Sequence, residues 1–91
     1  MAIADKIEFG TRRTIRVMGG HDGPVKGSWV VQFACEEGEI HIAIFHPNDA
    51  SEIRQARRGQ PGVAEFKRQV HKGETLGTWK IVQIEGIIEE D

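Results

Sequence analysis

The sequence predicts an α+β fold, a small antiparallel β-sheet with two short helices on one side. Apolar residues alternate with other residues in two adjoining segments before position 46 and again near the end of the chain, as they do in β-strands. Between them, two segments space their apolar residues three and four positions apart, as helices do. The predicted element order is β-β-β-α-α-β. Glycines at positions 10, 27, 77 and 86 leave open an alternative, a small β-barrel with a helical insertion.

Length and composition predict a single domain that covers residues 1–91. The chain is 38% hydrophobic and 29% charged, as folded water-soluble proteins are. No apolar run approaches the roughly 20 residues that cross a bilayer. Asp5, Lys6 and Glu8 interrupt the start of the chain, which therefore lacks the apolar core of a signal peptide. Because Cys35 is the only cysteine, no intrachain disulfide can form, and we expect a cytoplasmic protein without a membrane partner.

The first strand is predicted over Lys6–Met18, with Ile15 and Val17 on the same face. The glycine-rich stretch GGHDGPVKG, residues 19–27, follows it. A phosphate-binding P-loop places Gly-Lys and a hydroxyl residue at the start of a helix, whereas this stretch has Lys before Gly and precedes a strand. It therefore predicts a hairpin connection, in which His21 and Lys26 are the side chains available to contact a ligand.

The next two strands form the best-supported hairpin, and its register has two alternatives. The alternating apolar positions are Trp29, Val31, Phe33 and Cys35, then Ile40, Ile42 and Ile44. A two-residue turn at Glu37-Gly38 would place Phe33 opposite Ile42 and all the large apolar side chains on one face. A three-residue loop with Gly38 in the left-handed conformation would place Phe33 opposite His41. Because a buried face normally decides the register, we predict the two-residue turn.

Two helices are predicted after Pro47. The first covers Ala50–Arg58, with Asn48 and Asp49 as candidate N-caps and Ala50, Ile53 and Ala56 facing inward. The second starts at Val63 and is closed by Gly73, from the spacing of Val63, Phe66 and Val70.

The last strand is predicted over Thr78–Ile88, with Trp79 and Ile81 on one face and Lys80, Val82 and Ile84 on the other. Its simplest partner in the sheet is the first strand.

No constellation of catalytic or metal-ligating residues stands out. His41 and His46 lie five positions apart on one strand and point to opposite faces, so we expect neither a metal nor a cofactor. Cys35 alternates with Phe33 and Val31 and is predicted to be a small core residue. An enzyme acting through residues 19–27 is the least favoured hypothesis.

Segregated charge is the feature that points to a partner. Six cations lie between positions 52 and 73 against two acids, and they fall on the predicted helices: Arg54, Arg57, Arg58, Lys67, Arg68 and Lys72. We therefore expect a small non-enzymatic interaction module whose basic helical face contacts an acidic protein. The alternative is a nucleic-acid-binding domain that uses the same cations. A variant is self-association through the apolar C-terminal strand.

Overall fold

A computed structural model describes residues 7–88, which form a five-stranded antiparallel sheet with one short helix. The strands are β1 (Arg12–Asp22), β2 (Trp29–Cys35), β3 (Ile40–Phe45), β4 (Pro61–His71) and β5 (Glu74–Ile84), and the helix is α1 (Pro47–Ile53). Their order across the sheet is β3-β2-β1-β4-β5, so β3 and β5 are the edge strands. The predicted α+β fold with two helices is therefore wrong, since the molecule is mainly β-sheet.

The predicted second helix is the strand β4. This strand lies between β1 and β5 and pairs with both of them. Its inward face includes the buried Ala64, whereas Val70, an assumed core position of the helix, is 63% exposed. Three apolar residues at helical spacing were a weak signal. The paired neighbours on both sides, which satisfy the backbone hydrogen bonds of β4, are not visible in the local pattern.

Lys72 and Gly73 form the turn between β4 and β5. His71 pairs with Glu74, so the loop has two residues, and both have positive φ angles, 50° and 80°. Two consecutive left-handed residues are the signature of a type I′ hairpin turn. Gly73 therefore closes a hairpin, and the prediction that it ends a helix is wrong.

Helix α1 is shorter than predicted and starts earlier. His46 caps it, because its side chain accepts a hydrogen bond from the backbone N–H two residues on. Pro47 stands in the first turn, where no N–H is required. Ala50 and Ile53 are buried, as predicted, but the helix ends at Ile53 and does not continue to Arg58.

Strand β1 extends into the glycine-rich stretch. Ile15 and Val17 are buried on one face, which confirms the predicted alternation. After an irregularity between Val17 and Gly19, the strand continues to Asp22 opposite Trp29. The connection predicted for residues 19–27 is thus a hairpin connection, but its loop is confined to residues 23–28.

The hairpin of β2 and β3 has the three-residue loop and not the two-residue turn that was predicted. Phe33 lies opposite His41 and Gln32 opposite Ile42. Gly38 has a φ of 94°, which a three-residue loop with a left-handed last position requires. Turn geometry therefore decided the register, and the prediction from apolar burial is wrong. As a consequence, Ile42 points away from the core.

The last strand pairs with β4, and β1 has β2 and β4 as its neighbours, so the predicted pairing of the first and last strands is wrong. The sheet curves around a core whose largest fully buried side chains are Phe33, Ile15, Ile53, Ile84 and Val31. Curvature brings the His41 ring of β3 to 5.2 Å from the Trp79 ring of β5. Within residues 7–88, no strand pairing joins these two edges.

Candidate functional site

Hydrogen bonds among its own residues hold the loop after β1. Gly23 N–H donates to Ser28 O at 3.0 Å, and the Ser28 N–H and hydroxyl donate to Val25 O at 2.9 and 2.6 Å. His21 contacts only the carbonyl of the next residue, through Nδ1 at 2.9 Å, and both His21 and Lys26 are exposed. These contacts explain the loop as a compact connection between strands.

Arg54 makes structural contacts with that loop. Its guanidinium lies 5.2 Å from the centre of the Trp29 ring, donates to Gly27 O at 3.3 Å and is 3.9 Å from an Asp22 carboxylate oxygen. A cation over an indole ring is a favourable arrangement. Arg54 therefore joins the end of α1 to the β1–β2 connection.

The six cations expected to share a helical face do not form one surface. Arg57 and Arg58 lie in the segment between α1 and β4, where they line a concavity of about 520 Å³. Lys67 and Arg68 are consecutive in β4, so their side chains project from opposite faces of the sheet. Lys72 lies in the turn at the far end of β4, about 35 Å from the start of that strand at the usual rise per residue.

The arginines of β1 contact neighbouring elements. Arg12 Nε donates to Glu65 at 2.9 Å, and Arg16 donates to Gly59 O at 3.0 Å. Arg13 lies 3.8 Å from Glu37.

The histidines and the cysteine do not converge either. His41 contacts Glu39 at 2.8 Å, while His46 caps α1. Residues 7–88 contain no group of three or more His, Cys, Asp and Glu side chains that could hold a metal ion. Cys35 is buried, and this burial raises the pKa of its thiol. The nearby carboxylates of Glu39 and Glu37 raise this pKa further. The thiol is therefore protonated at neutral pH, which fits a core residue.

A groove of about 410 Å³ lies between β3 and β5, where the two edges approach without pairing. Its apolar lining consists of Ala43, Ile44, Phe45, Ile81, Val82 and Ile88. The contact of the His41 and Trp79 rings lies farther along the same two strands. The groove therefore occupies the part of the seam next to α1.

Backbone groups of both strands that have no partner within residues 7–88 point toward this seam. Cys35 N–H donates to Glu39 O, and in an antiparallel pair the residues facing the partner alternate. The N–H and C=O groups of Ile40, Ile42 and Ile44 consequently point away from β2, toward the free edge. On β5, the same alternation from the two-residue turn directs those of Trp79 and Ile81 to the seam.

The relative direction of the two edge strands differs from that of every paired neighbour in the sheet. Four antiparallel steps separate β3 from β5, so these two strands run the same way. Direct closure would require a parallel pair. One additional strand running in the opposite direction would be antiparallel to both edges. Several Cα atoms of β3 and β5 lie within 8 Å of each other, less than the roughly 10 Å that an intervening strand needs, so the seam has to open to admit it.

The charged residues around the groove are unevenly placed. Lys67 of β4 and Lys80 of β5 line one side, whereas Asp49 and Glu52 of α1 lie at the other. Lys67 was among the partner-binding residues that the sequence indicated, but Lys80 was not. The alternation of β5 did place Lys80 outside the core, yet its position at an edge depends on the strand order, which no local pattern revealed.

Comparison of the chain with protein-family models, with curated proteins and with solved structures found no match. Across residues 7–88, no helix has the length and apolar character needed to span a membrane.

Proposed function

We propose that the protein is a binding module that takes up an extended, acidic segment of a protein partner by strand addition at the β3–β5 groove. The main support is the arrangement of β3 and β5. These edge strands run in the same direction and flank a gap into which their unpaired backbone groups point. Strand addition supplies main-chain hydrogen bonds along an edge, and pockets for alternate side chains add selectivity.

The lining of the groove supports a partner segment of alternating character. Side chains that point inward would meet Phe45, Ile81 and Ile88 and should be aliphatic. Those that point outward would lie between Ile44 and Lys80, and Lys67 is nearby. A segment that alternates aliphatic and acidic residues fits both requirements.

The direct test is fluorescence anisotropy with a labelled, end-blocked peptide that alternates valine and glutamate. The wild-type protein should bind it, and binding should weaken as salt is raised. The same peptide with N-methyl groups on alternate residues, on the edge that would pair with β3, should lose binding because it lacks the donors. Equal binding of a peptide with lysine in place of glutamate would contradict the acidic preference.

Lys67→Glu is the matched test of the groove, with Arg58→Glu as its control. Both variants reverse one exposed charge, but only Lys67 lines the groove, while Arg58 lines the other concavity. We expect Lys67→Glu to weaken peptide binding by about tenfold, since like charges replace a favourable contact. Arg58→Glu should bind as the wild type does. An equal loss of peptide affinity in both variants would show that binding depends on the overall charge of the protein and not on the groove.

A single-stranded nucleic acid is the second candidate ligand, favoured by one observation. Phe9 is 51% exposed and stacks on Phe66 at 5.7 Å, which offers a ring face to a base. Nearby acids would repel a phosphate backbone: Glu8 and Glu65 adjoin the two rings in sequence, and Glu74 lies in the same hairpin as Phe66. Binding of a labelled mixed-sequence oligonucleotide at low salt, without binding of the acidic peptide, would replace the first proposal by this one.

A cytoplasmic location belongs to the same proposal. It is supported by the single cysteine, which is buried and unpaired. Fractionation of cells that express the tagged chain tests it, and recovery in the membrane or extracellular fraction would contradict it.

A further inference from the structure

The outer face of β3 carries a row of exposed isoleucines that the proposed groove does not use in full. Ile40, Ile42 and Ile44 are 59%, 49% and 49% exposed, and they stand side by side on one face of an edge strand. Proteins usually protect such an edge with charges or cover it. We refer to these three residues as the isoleucine row.

Acidic residues border the isoleucine row at the β2–β3 loop. Glu36, Glu37 and Glu39 are all exposed there. An apolar surface with an acidic border fits a partner surface that is apolar with a basic border.

The tip of the β4–β5 hairpin has that complementary character. Phe66 still bonds through its backbone to Gly10 and Thr11, and beyond it β4 pairs only with β5 among the described residues, so the tip is a two-stranded ribbon. Val70 is 63% exposed on the same face of the ribbon as Arg68, with Lys72 in the adjoining turn and Glu74 after it. Leu76 is 48% exposed on the opposite face, because it pairs with Gln69. One chain thus carries both the acid-bordered isoleucine row and an exposed valine that lies beside basic side chains.

We infer that the protein self-associates, with the hairpin tip of one copy seated on the isoleucine row of a second copy. A reciprocal arrangement about a two-fold axis closes the assembly as a dimer. Direct antiparallel pairing of β3 with β3 is the less favourable geometry. Centred on Ile42, it would bring the glutamate loop of one copy toward Asp49 and Glu52 of the other, and these charges repel.

Charge reversal with rescue tests this inference by sedimentation velocity over a concentration series. The wild-type chain should show a concentration-dependent dimer that weakens with salt. Glu36→Lys/Glu37→Lys should weaken dimerisation by at least about tenfold, as should Arg68→Glu/Lys72→Glu. An equimolar mixture of the two double variants should recover the dimer, because each hairpin tip then meets a β2–β3 loop of opposite charge.

Three outcomes would overturn the inference: a wild-type monomer up to the solubility limit, unaffected dimerisation in both double variants, or a mixture that stays monomeric while circular dichroism shows both variants folded. Arg57→Glu/Arg58→Glu is the control, since these side chains lie outside both surfaces, and it should dimerise as the wild type does. The peptide titration with Lys67→Glu uses another residue and another readout. Failure of self-association therefore leaves the proposed function standing, and the reverse also holds.

Discussion

The two hairpins of the molecule both expose apolar side chains, but for different physical reasons. In the β2–β3 hairpin, a three-residue loop sets a register that turns Ile42 outward and His41 inward. In the β4–β5 hairpin, the two strands continue beyond the first residue of β1, and Val70 and Leu76 in that extension are exposed. Exposure in the first hairpin is a matter of register, and in the second it is a matter of length.

Truncation of a buried and of an exposed position in the β2–β3 hairpin should give the largest contrast. Phe33 is fully buried, so Phe33→Ala should lower the free energy of unfolding by about 3–5 kcal/mol. Ile42 is half exposed, and Ile42→Ala should cost about 1 kcal/mol or less. Urea denaturation measures both. If Ile42 lay opposite Phe33 in the core, Ile42→Ala would lower the free energy of unfolding several times more. That result would support the two-residue turn that the sequence predicted and contradict the observed register.

A side chain at Gly77 in the β4–β5 hairpin should destabilise the protein. A Cβ at this position would overlap the Phe66 ring. We therefore expect Gly77→Ala to destabilise the protein by about 1–3 kcal/mol, as overpacking does. Thermal or chemical unfolding measures the loss, and Phe66→Leu serves as the background that relieves the overlap. If Gly77→Ala costs as much in that background, the contact with Phe66 is not its cause.

Lys72→Asn should produce a small stabilisation of the same hairpin. Lys72 has a φ of 50°, and asparagine adopts the left-handed region more readily than lysine does. The gain in the free energy of unfolding should be about 0.5 kcal/mol. Gly73→Ala is the opposite control and should destabilise, since Gly73 also has a positive φ. A loss of stability in Lys72→Asn would argue against the two-residue turn.

Cys35 at the end of β2 should give the smallest effect, visible only at alkaline pH. Burial raises the pKa of its thiol in the folded protein above the value in the unfolded chain. Its contribution to stability is therefore complete below the usual thiol pKa and is lost as the pH rises through the raised value. Chemical denaturation at a series of alkaline pH values should show a steeper decline for the wild type than for Cys35→Ala. Parallel declines would show that the thiol does not titrate differently in the two states.

Local patterns predicted the strands whose burial alternates and failed where a turn or a distant partner decided the structure. The alternation of Ile15 and Val17 and of Trp79 and Ile81 agrees with the structure because each pair faces one core. The register of β3 depended on Gly38, and the strand β4 depended on neighbours far away in the sequence. Three apolar residues at helical spacing could not reveal these neighbouring strands.

The candidate site was only partly predictable for the same reason. Lys67 was among the expected partner-binding residues, but it lines a groove and not a helical face. Lys80 and Ile44 become part of the groove only because β3 and β5 are the sheet edges. Strand order is a long-range property. Because the second predicted helix is a strand, the six cations lie on different elements and do not share a helical face.

Amide hydrogen exchange, measured residue by residue by NMR with and without the valine–glutamate peptide, tests strand addition most directly. In the free protein, the N–H groups of Ile42 and Ile44 point to the open edge and should exchange fast, while that of Ala43 faces β2 and should be protected. Bound peptide should slow exchange at Ile42, Ile44 and Ile81. Peptide binding that leaves these three amides unprotected would contradict strand addition at the β3–β5 groove.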